Sequence, residues 1–275
     1  MSLPEIRTEY PLVTSSWRGE GVIEVYDVAE QRLATFTREF LRLGHVLNWA
    51  YIQNACQSVV QEAGTLHTGA SVARSTSPPS MQPLDLESSP IVGRYWYIRT
   101  DQPDAPCTWA PGPRCAVREP FDDDESSSSR NSAQQSHFEL CLINRDSRCI
   151  VTDDPEWESA VGAHILPTNQ PEDYRRALGH QPVDHFHVSY GILLDRGWHR
   201  AFDNGDWGLY PCPNSTDLII HVFQGRDQGR KVYHGKRLPR SRFRVWDVPD
   251  ELPDVRLLQY HYKQCLMKNV RGFSA

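Results

Sequence analysis

No window of the sequence approaches the ~20 consecutive apolar residues that cross a bilayer, and the opening MSLPEIRTEYPLVTSSW has no basic stretch followed by an apolar run. Neither a membrane span nor export is expected, so the chain reads as intracellular, nuclear or cytoplasmic. Close cysteine pairs are missing too. The seven cysteines (Cys56, Cys107, Cys115, Cys141, Cys149, Cys212 and Cys265) are odd in number and scattered, with no C-x-x-C. That spacing argues against a disulfide framework and a zinc knuckle, and for reduced thiols. An excess of positive charge is also absent: the net charge is −6, which argues against a generally basic nucleic-acid coat. Nor is there an internal repeat.

What remains is a near-average globular composition, 39% apolar and 10% aromatic over 275 residues, long enough for one elaborated domain or two small ones. GVIEVYDV (21–28) alternates as a strand does. The following AEQRLATFTREFLRLGHVLNWAYIQNACQSVVQEAG spaces Phe36, Phe40, Leu43, Leu47, Ile52, Ala55 and Val59 as one face of one or two helices. His45 and Trp49 read as packing residues. Residues 64–90 are rich in Ser, Thr and Pro and read as a long loop. IVGRYWYIRT (91–100) is aromatic and β-branched, as a strand requires. REPFDDDESSSSRNSAQQS (118–136) joins an acidic run to a serine run and reads as solvated insert rather than a cation site. The expected division is therefore an N-terminal strand and helix region, 1–136, with inserts near 64–90 and 118–136, and a denser domain over 137–275.

In that second part, ESAVGAHILP reads as a turn into a short strand, PEDYRRALG as a short helix opened by Pro and closed by Gly, and HVSYGILL as another strand. DRGWHRAFDNG reads as a helix ended by Asn204-Gly205. WGLYP, DLIIHVF and RFRVWDV are further strand candidates, and DVRLLQYHYKQCLMKNVRG is a terminal helix in which His261 is a packing or surface residue.

His199 and Asp203 stand four apart, which on a helix sets an imidazole and a carboxylate on one face, able to share a cation. Helices carry such pairs as simple ion pairs as well. His164, on a strand between Ala163 and Ile165, is a third group that packing could bring to the same point.

Taken in order, CIVTDD, GAHILP, YGILL, WHRAFDNGDWGLYP and LLQYHYKQCLMKNVRG resemble the fungal branch of the HNH endonuclease family, over roughly Leu140 to Gly272. The resemblance implies an α+β protein with a ββα-metal core ending near Pro211, added strands, a C-terminal accessory helix, and the N-terminal strand and helix region. It implies His164 as the general base that takes a proton from water attacking a phosphodiester. His199 is implied as ligand of a divalent ion, Mg, Mn or Zn, and Asp203 as a second ligand or a support of the helix end. The substrate implied is nucleic acid, DNA ahead of RNA. Two positions depart from the family pattern. The central asparagine is Tyr190, and the residue before the base, often a ligand, is Ala163; His185 and His187 are possible replacements. Three functions stay open: a metal-dependent nuclease, a nuclease-dead scaffold that binds or regulates, and an enzyme acting on a small molecule with His164 and Tyr190 as base and acid.

One basic stretch stands apart. RDQGRKVYHGKRLPRSRFR (226–244) holds eight Lys or Arg against one Asp. Arg226, Arg230, Lys231, Lys236, Arg237 and Arg240 are candidate phosphate contacts, with a solvated hairpin as the equal alternative.

Overall fold

A computed structural model describes residues 8–68, 82–114, 129–154, 160–213, 215–225, 228–245 and 247–275. The chain divides into two compact units, one of residues 1–114, 223–235 and 263–275, the other of residues 115–222 and 236–262. No helix among the described residues is long and apolar enough to cross a membrane.

The first unit holds α1 (Val13–Ser16), β1 (Val22–Tyr26), β2 (Arg32–Thr37), α2 (Arg38–Leu43), α3 (Trp49–Val59), β3 (Gly64–Thr68), β4 (Gln82–Pro83) and β5 (Gly93–Arg99). The strands form one sheet in the order β2-β1-β5-β3-β4. Here the helical reading of 29–64 is corrected, because its first third is a strand. β2 pairs antiparallel with β1, Ile23 opposite Phe36. The buried Asp27 carboxylate forms the turn between them by accepting the amides of Ala29 and Gln31. Phe36 and Phe40 are four apart, yet Thr37 lies between them as the N-cap of α2, accepting the Phe40 amide. The apolar spacing thus ran across a strand-to-helix junction. α3 begins at an Asn48 cap and buries Trp49, Ile52, Ala55 and Val59; His45 sits at a positive φ of 59° before it. β3 and β4 lie within the stretch expected to be loop, and residues 69–81 are outside the described residues.

The second unit holds α4 (Ser129–Asp146), β6 (Ala160–His164), α5 (Pro171–Leu178), β7 (Gly191–Asp195), α6 (Arg196–Asp203), β8 (Trp207–Pro211), β9 (Leu218–Val222) and β10 (Arg237–Leu238). In the first unit α7 (Gln228–Lys231) follows β9, and the terminal α8 (Val255–Leu266) has residues in both units. α4 is the second correction: the serine-rich insert expected to 136 is helical from Ser129, while the acidic run at 122–124 lies outside the described residues. RFRVWDV is the third, since its first described residues close a short 3-10 turn, Arg240–Arg242, rather than a strand.

β6 and β7 pair antiparallel, with His164 opposite Gly191 and Gly162 opposite Leu193. α4 lies across the face these residues share. A Cβ on Gly162 would stand 3.1 Å from Leu142 Cδ1, and one on Gly191 only 2.2 Å from Phe138 Cζ. Phe138, Leu142, Ala160 and Leu193 form the core there. α6, capped by Asp195 through the amides of Gly197 and Trp198, packs against both strands and buries Trp198, Ala201 and Phe202. The order hairpin then helix is the part of the fold on which the candidate site rests. β8, β9 and β10 form a separate three-stranded sheet.

A buried ion pair ties these parts together. Arg145 Nε and Asp146 Oδ1 are 2.6 Å apart, with side chains 1% and 0% exposed. Arg145 donates to the carbonyls of Gly191 at 2.7 Å, Val188 at 2.8 Å and Glu251 at 3.0 Å, and Asp146 accepts the Leu193 amide at 2.8 Å. Nothing in the local pattern of α4 announces these long-range bonds. They satisfy charges that burial would otherwise make costly.

Candidate active site

His164 ends β6, and its ring is held by apolar surfaces. Phe138 stacks on it at 4.3 Å and 13°, and Phe186 meets it edge-on at 5.4 Å and 77°. Its Nε2 is buried and has no hydrogen-bond partner among the described residues. Burial pushes its pKa down to about 4; a hydrogen bond with the His185 backbone opposes this, while the charges of His185 and His199 add to it. The imidazole is therefore neutral at pH 7. In the tautomer protonated at Nδ1, Nε2 offers a lone pair.

His199 and Asp203 lie on one face of α6 as their spacing requires, Nε2 to Oδ2 at 3.4 Å, both partly exposed. An imidazole nitrogen and a carboxylate oxygen on one helix face are both donor types that would hold a divalent cation. Among the described residues no group of three or more His, Cys, Asp or Glu side chains could hold a metal. None of the described cysteines forms a disulfide.

Among the described residues no ring contact joins Tyr190 to His164. The Tyr190 ring faces Tyr174 at 5.9 Å and His187 at 5.7 Å. Burial raises its pKa, Asp254 adds to the rise, and Arg256 opposes it. Its backbone carbonyl takes over part of the register, accepting the Ile165 amide at 2.8 Å. Tyr174 donates its hydroxyl to the Leu166 carbonyl at 2.7 Å, and His185 meets its ring edge-on at 4.8 Å.

Residues 141–210 match the family model for HNH endonuclease. No curated protein and no solved structure matched the chain. The matched segment takes in the last residues of α4, the hairpin, α6 and most of β8, so the stretch that resembles the HNH endonucleases is the one that contains His164, His199 and Asp203.

Other residues gain a role from the structure alone. Phe138 lies just outside the matched segment, yet it forms the platform under His164. His185, weighed in the sequence only as a possible replacement ligand, has a buried Nδ1 without a hydrogen-bond partner among the described residues and bears electrostatically on His164. His187 is bonded at Nδ1 to the Ser189 hydroxyl at 2.8 Å. Only the odd run HFH hints at any of this in the sequence. His261 proves to be packing, stacked on Phe202 at 3.7 Å.

The basic stretch is divided between the units. Arg230 and Lys231 belong to the first, where Lys231 Nζ donates to the Ser16 carbonyl and lies over Trp17. Lys236, Arg237 and Arg240 belong to the second. Lys236 donates to the Val151 carbonyl at 2.8 Å, Arg237 faces Asp217 at 3.9 Å, and Arg240 lines a cavity. Arg226 lies outside the described residues.

Proposed function

We propose that the hairpin and helix around His164 form a nuclease centre that hydrolyses phosphodiester bonds in nucleic acid with a divalent cation. The observation that carries this reading is the partnerless, buried Nε2 of a neutral His164 within electrostatic reach of His199, inside the segment similar to HNH endonucleases. His164 takes the proton of the attacking water. Phe138 and Phe186 fix its ring plane, so little reorientation accompanies the transfer. His199 and Asp203 would hold the cation. That ion supplies charge stabilisation on the scissile phosphate and the departing oxygen.

Plasmid and single-stranded DNA and RNA incubated with the purified chain should be cut only when magnesium, manganese or zinc is added. His164→Ala should abolish cutting with an unchanged unfolding midpoint. Cutting that survives His164→Ala would overturn the assignment.

A second reading is a scaffold that binds nucleic acid without cleaving it. It is favoured by Tyr190, which takes the asparagine position of the family pattern and turns to Tyr174 and His187. Under it, no cation elicits cutting and retention survives His164→Ala.

A further inference from the structure

Tyr190 borders a cavity of about 800 Å³ that the proposed chemistry does not use. Its volume is that of a small-molecule site, ~300–1,000 Å³. Every lining residue belongs to the second unit, drawn from the turn before β7, the β8–β9 turn, the 3-10 turn at Arg240–Arg242, and the start of α8. We propose that this cavity is a binding site for one unpaired nucleobase.

Three features fix the chemistry of the ligand. The lining includes Leu218, Phe243 and Leu258, at most 8% exposed, which suit an apolar ring face. Tyr190 adds an aromatic wall whose hydroxyl makes no hydrogen bond among the described residues, and so has a donor and acceptor to offer. Charge decides the third point. Arg256 and Asp254 neutralise each other at 2.6 Å, and Arg240 shares the cavity with Asp217 and Asp250. A run of phosphates would meet three carboxylates against two guanidiniums here. A neutral planar ring with donors and acceptors along its edge meets partners of both kinds, and a nucleobase is such a ring.

The cavity is also coupled to the proposed centre. The Tyr190 carbonyl bonds the amide of Ile165, the residue after His164, so the aromatic wall and the candidate base hang on one inter-strand rung. A base inside a duplex is stacked on both faces and cannot enter. The substrate class that follows is single-stranded or locally unpaired nucleic acid. This rests on the reading of the chain as acting on nucleic acid, but not on its cleaving it.

The test uses the full chain in EDTA, where cutting does not intervene. Adenosine, cytidine, a short single-stranded oligonucleotide and the same sequence as a duplex are titrated by calorimetry. Saturable binding of the single strand, with the duplex much weaker, is expected. Free nucleosides competing for it show that the base alone is recognised; a strand that nucleosides never displace would overturn the assignment. Tyr190→Ala should weaken binding about 5- to 100-fold, the usual worth of one stacked base, while Tyr190→Phe keeps most of it. Thr216→Trp, at the exposed rim, should block entry with an unchanged unfolding midpoint. Equal affinity of wild type and both blocking variants, or preference for duplex, would overturn the proposal. His164→Ala separates the two readings. Binding lost with His164-dependent cutting intact removes the cavity assignment alone; binding intact without cutting under any cation removes the nuclease alone.

Discussion

The ring of Phe138 lies flat against that of His164, 4.3 Å between centroids and 13° from parallel, and it reaches there because position 191, opposite His164, has no side chain. Phe138 Cζ occupies the space a Cβ would need. The pair joins α4 to the hairpin and shields one face of the imidazole.

Gly191→Ala should therefore destabilise the second unit by about 1–3 kcal/mol, the usual cost of overpacking. Part of the clash is with the Ala163 carbonyl, 2.9 Å from the added atom. Phe138→Leu should relieve the rest, so the double variant should be more stable than the sum of the singles in denaturant unfolding. Phe138→Leu alone should open the covered face of His164 to more water, and its NMR titration should move up from about 4 toward 6.5.

Acid should weaken the fold through two other histidines. Burial holds His234 and His261 near pKa 4, each bonded to a carbonyl, of Phe40 and Phe202 respectively. Between about pH 6.5 and 4 the unfolded chain takes up protons that the folded chain refuses. Stability is thus full above about 6.5 and falls with pH through that window, by up to ~1.4 kcal/mol per unit for each histidine. Denaturant midpoints at pH 7 and pH 5 should show the decline. His261→Gln should make it shallower.

Breaking the Arg145 and Asp146 pair leaves a buried charge alone. Asp146→Asn or Arg145→Met should cost about 3–5 kcal/mol, seen as a lowered unfolding midpoint. Arg145→Lys should fail to restore it, because one ammonium cannot reproduce the guanidinium's bonds to Asp146 and three carbonyls.

His199→Ala and Asp203→Asn should separate cation binding from folding. An ion pair of this exposure contributes only about 0.3–0.5 kcal/mol, so the unfolding midpoint should hardly move. The cation concentration for half-maximal cutting should rise at least about tenfold. An unchanged concentration in both variants would remove them as ligands.

The hairpin and α6 were legible because their signals are local: apolar runs, a Pro and a Gly around α5, and His199 four before Asp203. β2 was not, since Phe36 and Phe40 keep helical spacing across a boundary set by the Thr37 cap. The start of α4 was hidden by composition, although FELCLINRDSRCIVTDD reads as a helix or strand leading to a turn. The helix starts among serines, and what holds Phe138 and Leu142 in place is a hairpin distant in sequence. The same limit applies to the candidate site. The types and spacing of His164, His199 and Asp203 could be read along the chain, but the direction of Tyr190 and the burial of His185 depend on Tyr174 and the turn before β7, which no window contains.

The internal anchoring of the basic stretch has an outcome for any polyanion the chain meets. Lys231 and Lys236 donate to carbonyls, and Arg242 bonds the carbonyl of Asp146 at 2.9 Å and pairs with Asp153 at the same distance. Cations committed inward displace few condensed counterions from a nucleic-acid strand. With Lys231, Lys236 and Arg242 so engaged, the logarithmic dependence of affinity on ionic strength should be shallower than eight basic residues imply, at ~0.7–0.9 per phosphate engaged.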